Sequence, residues 1–200
     1  MKRGPFVLGV TGNIACGKST VLQMLAERGA ETLDADAVYH DLIAPGARLS
    51  EALRSRYGSD IFAPDGTIDR RALGAIVFAD PAALAELDAL THPAVVAEIQ
   101  RLIEASDAQV LVVDAVKLVE SGLADACDTL WLVTCEPDQQ IERLMHRNGL
   151  SPEEAKRRVA LQPSVEAKRA LAGTIINNSG TIADTRRQVA EAWELLPIRS

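Results

Sequence analysis

The chain has 200 residues, 48% hydrophobic, 4% aromatic and 24% charged. That balance excludes a disordered chain and calls for a core of Leu, Val, Ile and Ala in one compact domain. Its 21 Lys and Arg stand against 28 Asp and Glu, a net charge of −7. This is the wrong sign for wrapping nucleic acid, but no bar to a small phosphorylated ligand held by a few local cations.

Five apolar runs read as strands in chain order: Phe6–Val10, Glu31–Leu33, Gln109–Val113, Thr129–Thr134 and Thr174–Asn177. Helical patterns fall between them, which predicts a parallel α/β sheet of about five strands covered by helices on both faces. The basic start, Met1 to Pro5, is followed only by Phe6-Val7-Leu8 before a glycine, too short an apolar run for a signal peptide. No run reaches the about 18–20 residues of a membrane span. The first helix is expected from Gly17 to Arg28, with Gly29 as its stop. The long stretch between the second and third strands, about 37–107, reads as a helical insertion. Turn signals lie at Pro45-Gly46 and Pro64-Asp65-Gly66, with helices at Arg48–Tyr57, Asp69–Phe78, Pro81–Leu90 and Ala94–Ala105. Another helix begins near Ala37, capped by Asp34 or Asp36. The stretch 143–169 carries seven cations, Arg143, Arg147, Lys156, Arg157, Arg158, Lys168 and Arg169, against three glutamates. It reads either as a solvated helical hairpin or as a cationic lid over phosphates. Within it, Ser151-Pro152-Glu153-Glu154 is a helix-start pattern. The three cysteines, Cys16, Cys127 and Cys135, lack metal spacing and suit a reducing, cytoplasmic setting.

Gly12-Asn13-Ile14-Ala15-Cys16-Gly17-Lys18-Ser19 matches GxxxxGK[ST] between a strand and a helix, the context of a phosphate-binding loop. In such a loop the backbone N–H groups turn inward around phosphate oxygens at a helix N-terminus. Lys18 would reach the β- and γ-phosphates of ATP, Ser19 would place its hydroxyl on Mg²⁺, and Thr20 completes the segment. Cys16 lies at a helix N-terminus beside Lys18, where a thiol pKa is expected to fall; it is either redox-sensitive or simply fills a loop position whose backbone does the binding. No Asp has a Gly three residues later and no Asn precedes a Lys, which counts against a GTPase switch and favours a small-molecule kinase. Leu33-Asp34-Ala35-Asp36 ends the second strand with two carboxylates where a kinase needs one to orient a hydroxyl. Asp114, ending the third strand, either holds the metal through water or caps a turn.

Taken together these residues resemble the dephospho-coenzyme A kinase family. The resemblance runs from Phe6 to about Leu195. It includes Asp34-Ala35-Asp36 with His40, Asp65-Gly66 with Asp69-Arg70, Val77-Phe78 and His92-Pro93. It continues through Glu120-Ser121-Gly122-Leu123, Arg143 with Arg147-Asn148-Gly149-Leu150, Gln162 and Asn178-Ser179-Gly180. It implies a P-loop kinase that uses ATP to phosphorylate the ribose 3′-hydroxyl of dephospho-CoA, the last step of coenzyme A formation. Asp36 matches the family's catalytic aspartate, and Lys18 and Ser19 its triphosphate and magnesium residues. Arg143 and Arg147 match lid arginines that close on ATP, and Asn178 lies where the family approaches the adenine. His92 is a candidate acceptor contact or a packing residue at the start of a helix. The alternatives are a kinase of another nucleoside or small alcohol, or an ATP-binding regulatory module without turnover. No nucleic acid, membrane or obligate protein partner is expected.

The chain departs from the family in four places. The loop carries Asn13, Ala15 and Cys16 where glycines and Ser are usual. Val116-Lys117-Leu118-Val119-Glu120 replaces Pro-Leu-Leu-Phe-Glu, Ala172-Gly173 replaces Ala-Asp, and Pro163 follows Gln162. Lys117 is thus a candidate substrate residue with two uses: to lie along the pocket wall and pair with Glu120, or to reach the acceptor's pyrophosphate.

Overall fold

The computed structural model describes residues 4–162 and 164–198, so Pro163 lies outside the described residues, as do Met1 to Arg3. Five strands, β1 (Phe6–Thr11), β2 (Glu31–Asp34), β3 (Val110–Asp114), β4 (Thr129–Thr134) and β5 (Thr174–Asn177), form one sheet in the order β2-β3-β1-β4-β5. β1 lies at the centre, parallel to β3 with Phe6 opposite Val110 and to β4 with Leu8 opposite Thr129. β5 runs parallel to β4.

The period of two along β1 sets both faces. Leu8 and Val10 point into a core with Val110, Val112, Trp131, Val133 and Ile176. That core is closed by Val21, Met24 and Leu25 of α1 (Lys18–Ala26) and by Val189 of α9 (Ile182–Glu194). On the opposite face Gly9 leaves the space that Leu118, Leu130 and Cys127 fill. A Cβ there would stand 2.5 Å from Leu130 Cδ2 and 2.7 Å from Leu118 Cδ2. A strand buried on both faces needs such apolar continuity, which is why β1, β3 and β4 stood out in the sequence.

The chain divides into two compact units. One holds the sheet and is built from the described residues up to Leu33 and from Ala105 onward; the other is Asp34–Glu104. The second unit contains α2 (Ala35–Leu42), α3 (Arg48–Tyr57), α4 (Arg70–Val77) and most of α5 (Pro81–Ala105). It has its own core of Ile43, Leu49, Leu53, Ile61, Leu73 and Val77.

Here the sequence reading needs correction. The two helices expected at Pro81–Leu90 and Ala94–Ala105 are one helix of 25 residues that runs through Pro93. Buried Thr91, Val95 and Ile99 recur every four residues across the proline. Burying Val95 and Ile99 stabilises by about 1.5–3 kcal/mol each, enough to offset the about 3 kcal/mol that an interior proline costs. His92-Pro93 therefore lies mid-helix and starts nothing. The first helix is also shorter than expected, ending at Ala26.

After β4 come α6 (Pro137–Asn148), α7 (Pro152–Ala160) and α8 (Glu166–Leu171). The expected helix start at Ser151 is a full capping box. Ser151 Oγ accepts from Glu154 N–H, and the Glu154 carboxylate accepts from Ser151 N–H. Among the described residues no helix is long and apolar enough to cross a membrane.

Candidate active site

The segment 12–20 bends from the end of β1 into α1 and lines a cavity of about 770 Å³. Two residues of the bend have positive φ, Ala15 at 57° and Gly17 at 89°. Gly17 is demanded by its surroundings, since a Cβ would stand 1.9 Å from Asn178 Nδ2. At Ala15 the chain accepts a left-handed conformation that only glycine adopts freely.

The loop's polar backbone is held from outside. Gln162 Oε1 accepts from Ile14 N–H at 3.3 Å, and Gln140 Nε2 donates to the Ile14 carbonyl at 2.8 Å. Arg143 donates to the Ala15 carbonyl at 3.3 Å and, through its other terminal nitrogen, to the Asn178 carbonyl at 2.9 Å. Asn178 is buried; its amide donates to the Cys16 carbonyl at 2.9 Å, and its oxygen accepts from the Thr185 hydroxyl at 2.8 Å. These anchors tie the Ile14, Ala15 and Cys16 carbonyls to side chains outside the loop and so fix the shape of the bend.

Lys18, in the first turn of α1, pairs with the carboxylate of Asp114 at the end of β3. Both line the cavity, as do Ser19, Arg143, Arg147 and Asn178. The structure thus brings together the loop, Asp114, the two arginines and Asn178. Among the described residues that line the cavity, Lys117 is not one; it is exposed in the turn after β3, and Glu120 pairs with Lys168.

The thiol of Cys16 reverses its expected direction. Burial pushes it up to about 11, outweighing the hydrogen bond from the Lys18 backbone and the Lys18 charge. The sulfur turns inward under the loop, 2.6 Å from where a Cβ on Gly12 would be, and packs in the sheet core.

Asp36 and His92 belong to the helical unit. Asp34 takes the cap of α2, accepting from Asp36 N–H at 2.8 Å and Ala37 N–H at 3.4 Å. Asp36 is left exposed in the first turn. His92 Nε2 lies 3.2 Å from Asp88 Oδ1, one turn back along α5. Two segments singled out by the sequence meet here: Arg70 donates to His40 Nδ1 at 2.9 Å, and Asp69 caps α4.

Sequence reasoning passed over Gln140 and did not distinguish Lys168 from the other cations of 143–169. Gln140 shares a helix face with Arg143 and buried Leu144, a polar residue on an apolar stripe that could have marked it. Lys168 carried no such signal, since seven cations in 143–169 look alike by charge.

No cluster of three or more His, Cys, Asp or Glu side chains suited to a metal is present among the described residues. Ser19 and Asp114 offer hard oxygen donors, the kind Mg²⁺ takes one or two of when phosphates and water supply the rest.

A family model described as dephospho-CoA kinase matches residues 6–184. A dephospho-CoA kinase from Symbiobacterium thermophilum is 45% identical over 190 residues, covering 94% of this chain and 80% of that protein. The crystal structure of a Thermus thermophilus protein superposes with a TM-score of 0.82 at 31% identity, covering 97% of this chain and 99% of that one. A dephospho-CoA kinase from Campylobacter jejuni gives 0.68 at 28% identity, covering 95% and 96%. A match this long, on a sheet whose central strand delivers a clasped phosphate loop, means that the chain belongs to the dephospho-CoA kinase family.

Proposed function

We propose that this chain transfers the γ-phosphoryl group of ATP to the ribose 3′-hydroxyl of dephospho-CoA, giving coenzyme A and ADP. The observation that carries the reading is the clasped loop with Lys18, Arg143 and Arg147 on one cavity, in a member of this family. The loop N–H groups receive the phosphates. Lys18 exchanges Asp114 for the β- and γ-phosphate oxygens, which frees that carboxylate. Ser19 and Asp114 would hold Mg²⁺, which would supply neutralisation of charge on the phosphate oxygens. Arg143 and Arg147 meet charge that develops during transfer. Asn178 keeps the nucleotide side in shape through its hold on the loop. Asp36 orients the 3′-hydroxyl and accepts its proton, with Asp34 already committed to the cap. Lys117 and His92 are secondary candidates for acceptor contact. A cytosolic setting accords with three free thiols.

A coupled ADP-release assay offering ATP with dephospho-CoA, adenosine, shikimate or no acceptor tests the reading. Turnover is expected with dephospho-CoA alone, and Asp36→Asn is expected to lower kcat by roughly 10²-fold, the scale of a positioned general base. Equal rates with another alcohol or with the blank would overturn it.

A further inference from the structure

Of the seven cations in 143–169, Lys168 is the one withdrawn from solvent, its side chain 1% exposed. Its ammonium donates to the Val116 carbonyl at 2.8 Å and stands 3.4 Å from Asn13 Oδ1 and 3.4 Å from Glu120 Oε1. One buried charge thus joins α8, the second residue of the phosphate loop and the turn after β3. Burying an ammonium is costly unless it is paired and fully hydrogen-bonded. A position needed only for packing would be filled at less cost by Leu or Met.

The partners are segments of the site, not of the core. Val116 lies two residues beyond Asp114, the partner of Lys18. The same Val116 carbonyl also accepts from the hydroxyl of Thr11, the last residue of β1, at 3.1 Å. The strand end that presents Asp114 is therefore gripped from the loop's own strand and from α8. At the loop, Asn13 gives Lys168 a side-chain oxygen, and the next residue, Ile14, is held by Gln162.

We infer that Lys168 is a positioning residue for phosphoryl transfer: its ammonium fixes the turn after β3 against the phosphate loop and so sets the relative placement of Asp114 and Lys18. The inference rests on the kinase reading above. Lys168 is enclosed by protein acceptors, so it acts through the two segments and not by touching phosphate.

The test is steady-state kinetics on the full chain with ATP and dephospho-CoA, with thermal melting measured alongside. Lys168→Met is expected to lower kcat by about 30-fold, the scale of a displacement of under an ångström, with both KM values within about threefold of wild type. Lys168→Arg, which can still donate to Val116 and pair with Glu120, is expected to recover most of the loss. Adding Glu120→Gln to Lys168→Met is expected to cost little more, because the two side chains act as one unit. A merely structural lysine would lower the melting temperature and leave kcat per folded molecule and the arginine rescue unmoved; that result overturns the inference. So does a loss confined to KM for ATP, which would make Lys168 a direct phosphate ligand. Should Lys168→Met fail to fold, Lys168→Gln carries the same comparison. An inactive wild type overturns the proposed function, whereas an active wild type matched by Lys168→Met overturns only the assignment to Lys168.

Discussion

Gly17 is the residue at which the site tolerates least. Its φ of 89° and the nearness of Asn178 Nδ2, 1.9 Å from an added Cβ, leave no room for a side chain. Gly17→Ala should cost about 1–2 kcal/mol for the left-handed backbone alone, and more for displacing the amide that holds the Cys16 carbonyl. Urea unfolding reads the first effect. Calorimetric titration with a non-hydrolysable ATP analogue reads the second, as affinity weakened by tenfold or more. The sequence made this glycine legible because the motif's spacing specifies backbone. It misjudged Cys16 next door because spacing says nothing of which way a side chain turns. The dipole and the Lys18 charge were visible, but the burial that outweighs them was not. Lys168 was hidden for the same reason: charge can be counted in a sequence, burial cannot.

Elements announce themselves where local chemistry sets their ends. Asp34, Asp69, Ser151 and Thr181 each accept a backbone N–H at the start of a helix. The first three lie in sequence patterns that foretold a helix start. The cap matters most at α7, which buries only Ala155 and so draws little stability from packing. Ser151→Ala should cost about 1 kcal/mol there, roughly a fivefold rise in the open population. Amide hydrogen exchange should show faster exchange across α7 and unchanged protection in β1 and β4; equal acceleration everywhere would mean that α7 opens only with the whole fold. Where tertiary packing sets an element, sequence reading fails. Pro93 signals a break, and the stripe of Thr91, Val95 and Ile99 carries the helix past it.

For the whole molecule, one buried and one half-buried thiol set an alkaline limit on stability. Burial raises Cys16 from 9.0 to about 11 and Cys127 from 9.0 to about 12. The folded state therefore holds these protons where the unfolded chain has lost them. Their contribution is whole below pH 9 and is lost as pH climbs through 11 and 12, at up to about 1.4 kcal/mol per pH unit for each thiol. The urea midpoint should fall over that window, and Cys127→Ala should flatten the fall; an unchanged slope would mean that Cys127 does not titrate with unfolding. At this scale the five strands and the parallel class were legible from apolar runs alternating with helices. The spatial order β2-β3-β1-β4-β5 was not, because strands of similar composition carry no label for their neighbours.

That order has a consequence for how the chain is made. A ribosome delivers β1 long before its partners: Phe6 must wait for Val110, Leu8 for Thr129, and the loop for Asn178. In the interval Asp34–Glu104 emerges with a core of its own, able to condense while the apolar run Val7-Leu8-Gly9-Val10 is still unpaired. The nascent protein thus carries a nucleotide motif that cannot yet hold nucleotide. The run of β1 stays unpaired until β3 and β4 have emerged, and the clasp on the loop is complete only once Asn178, after β5, has followed.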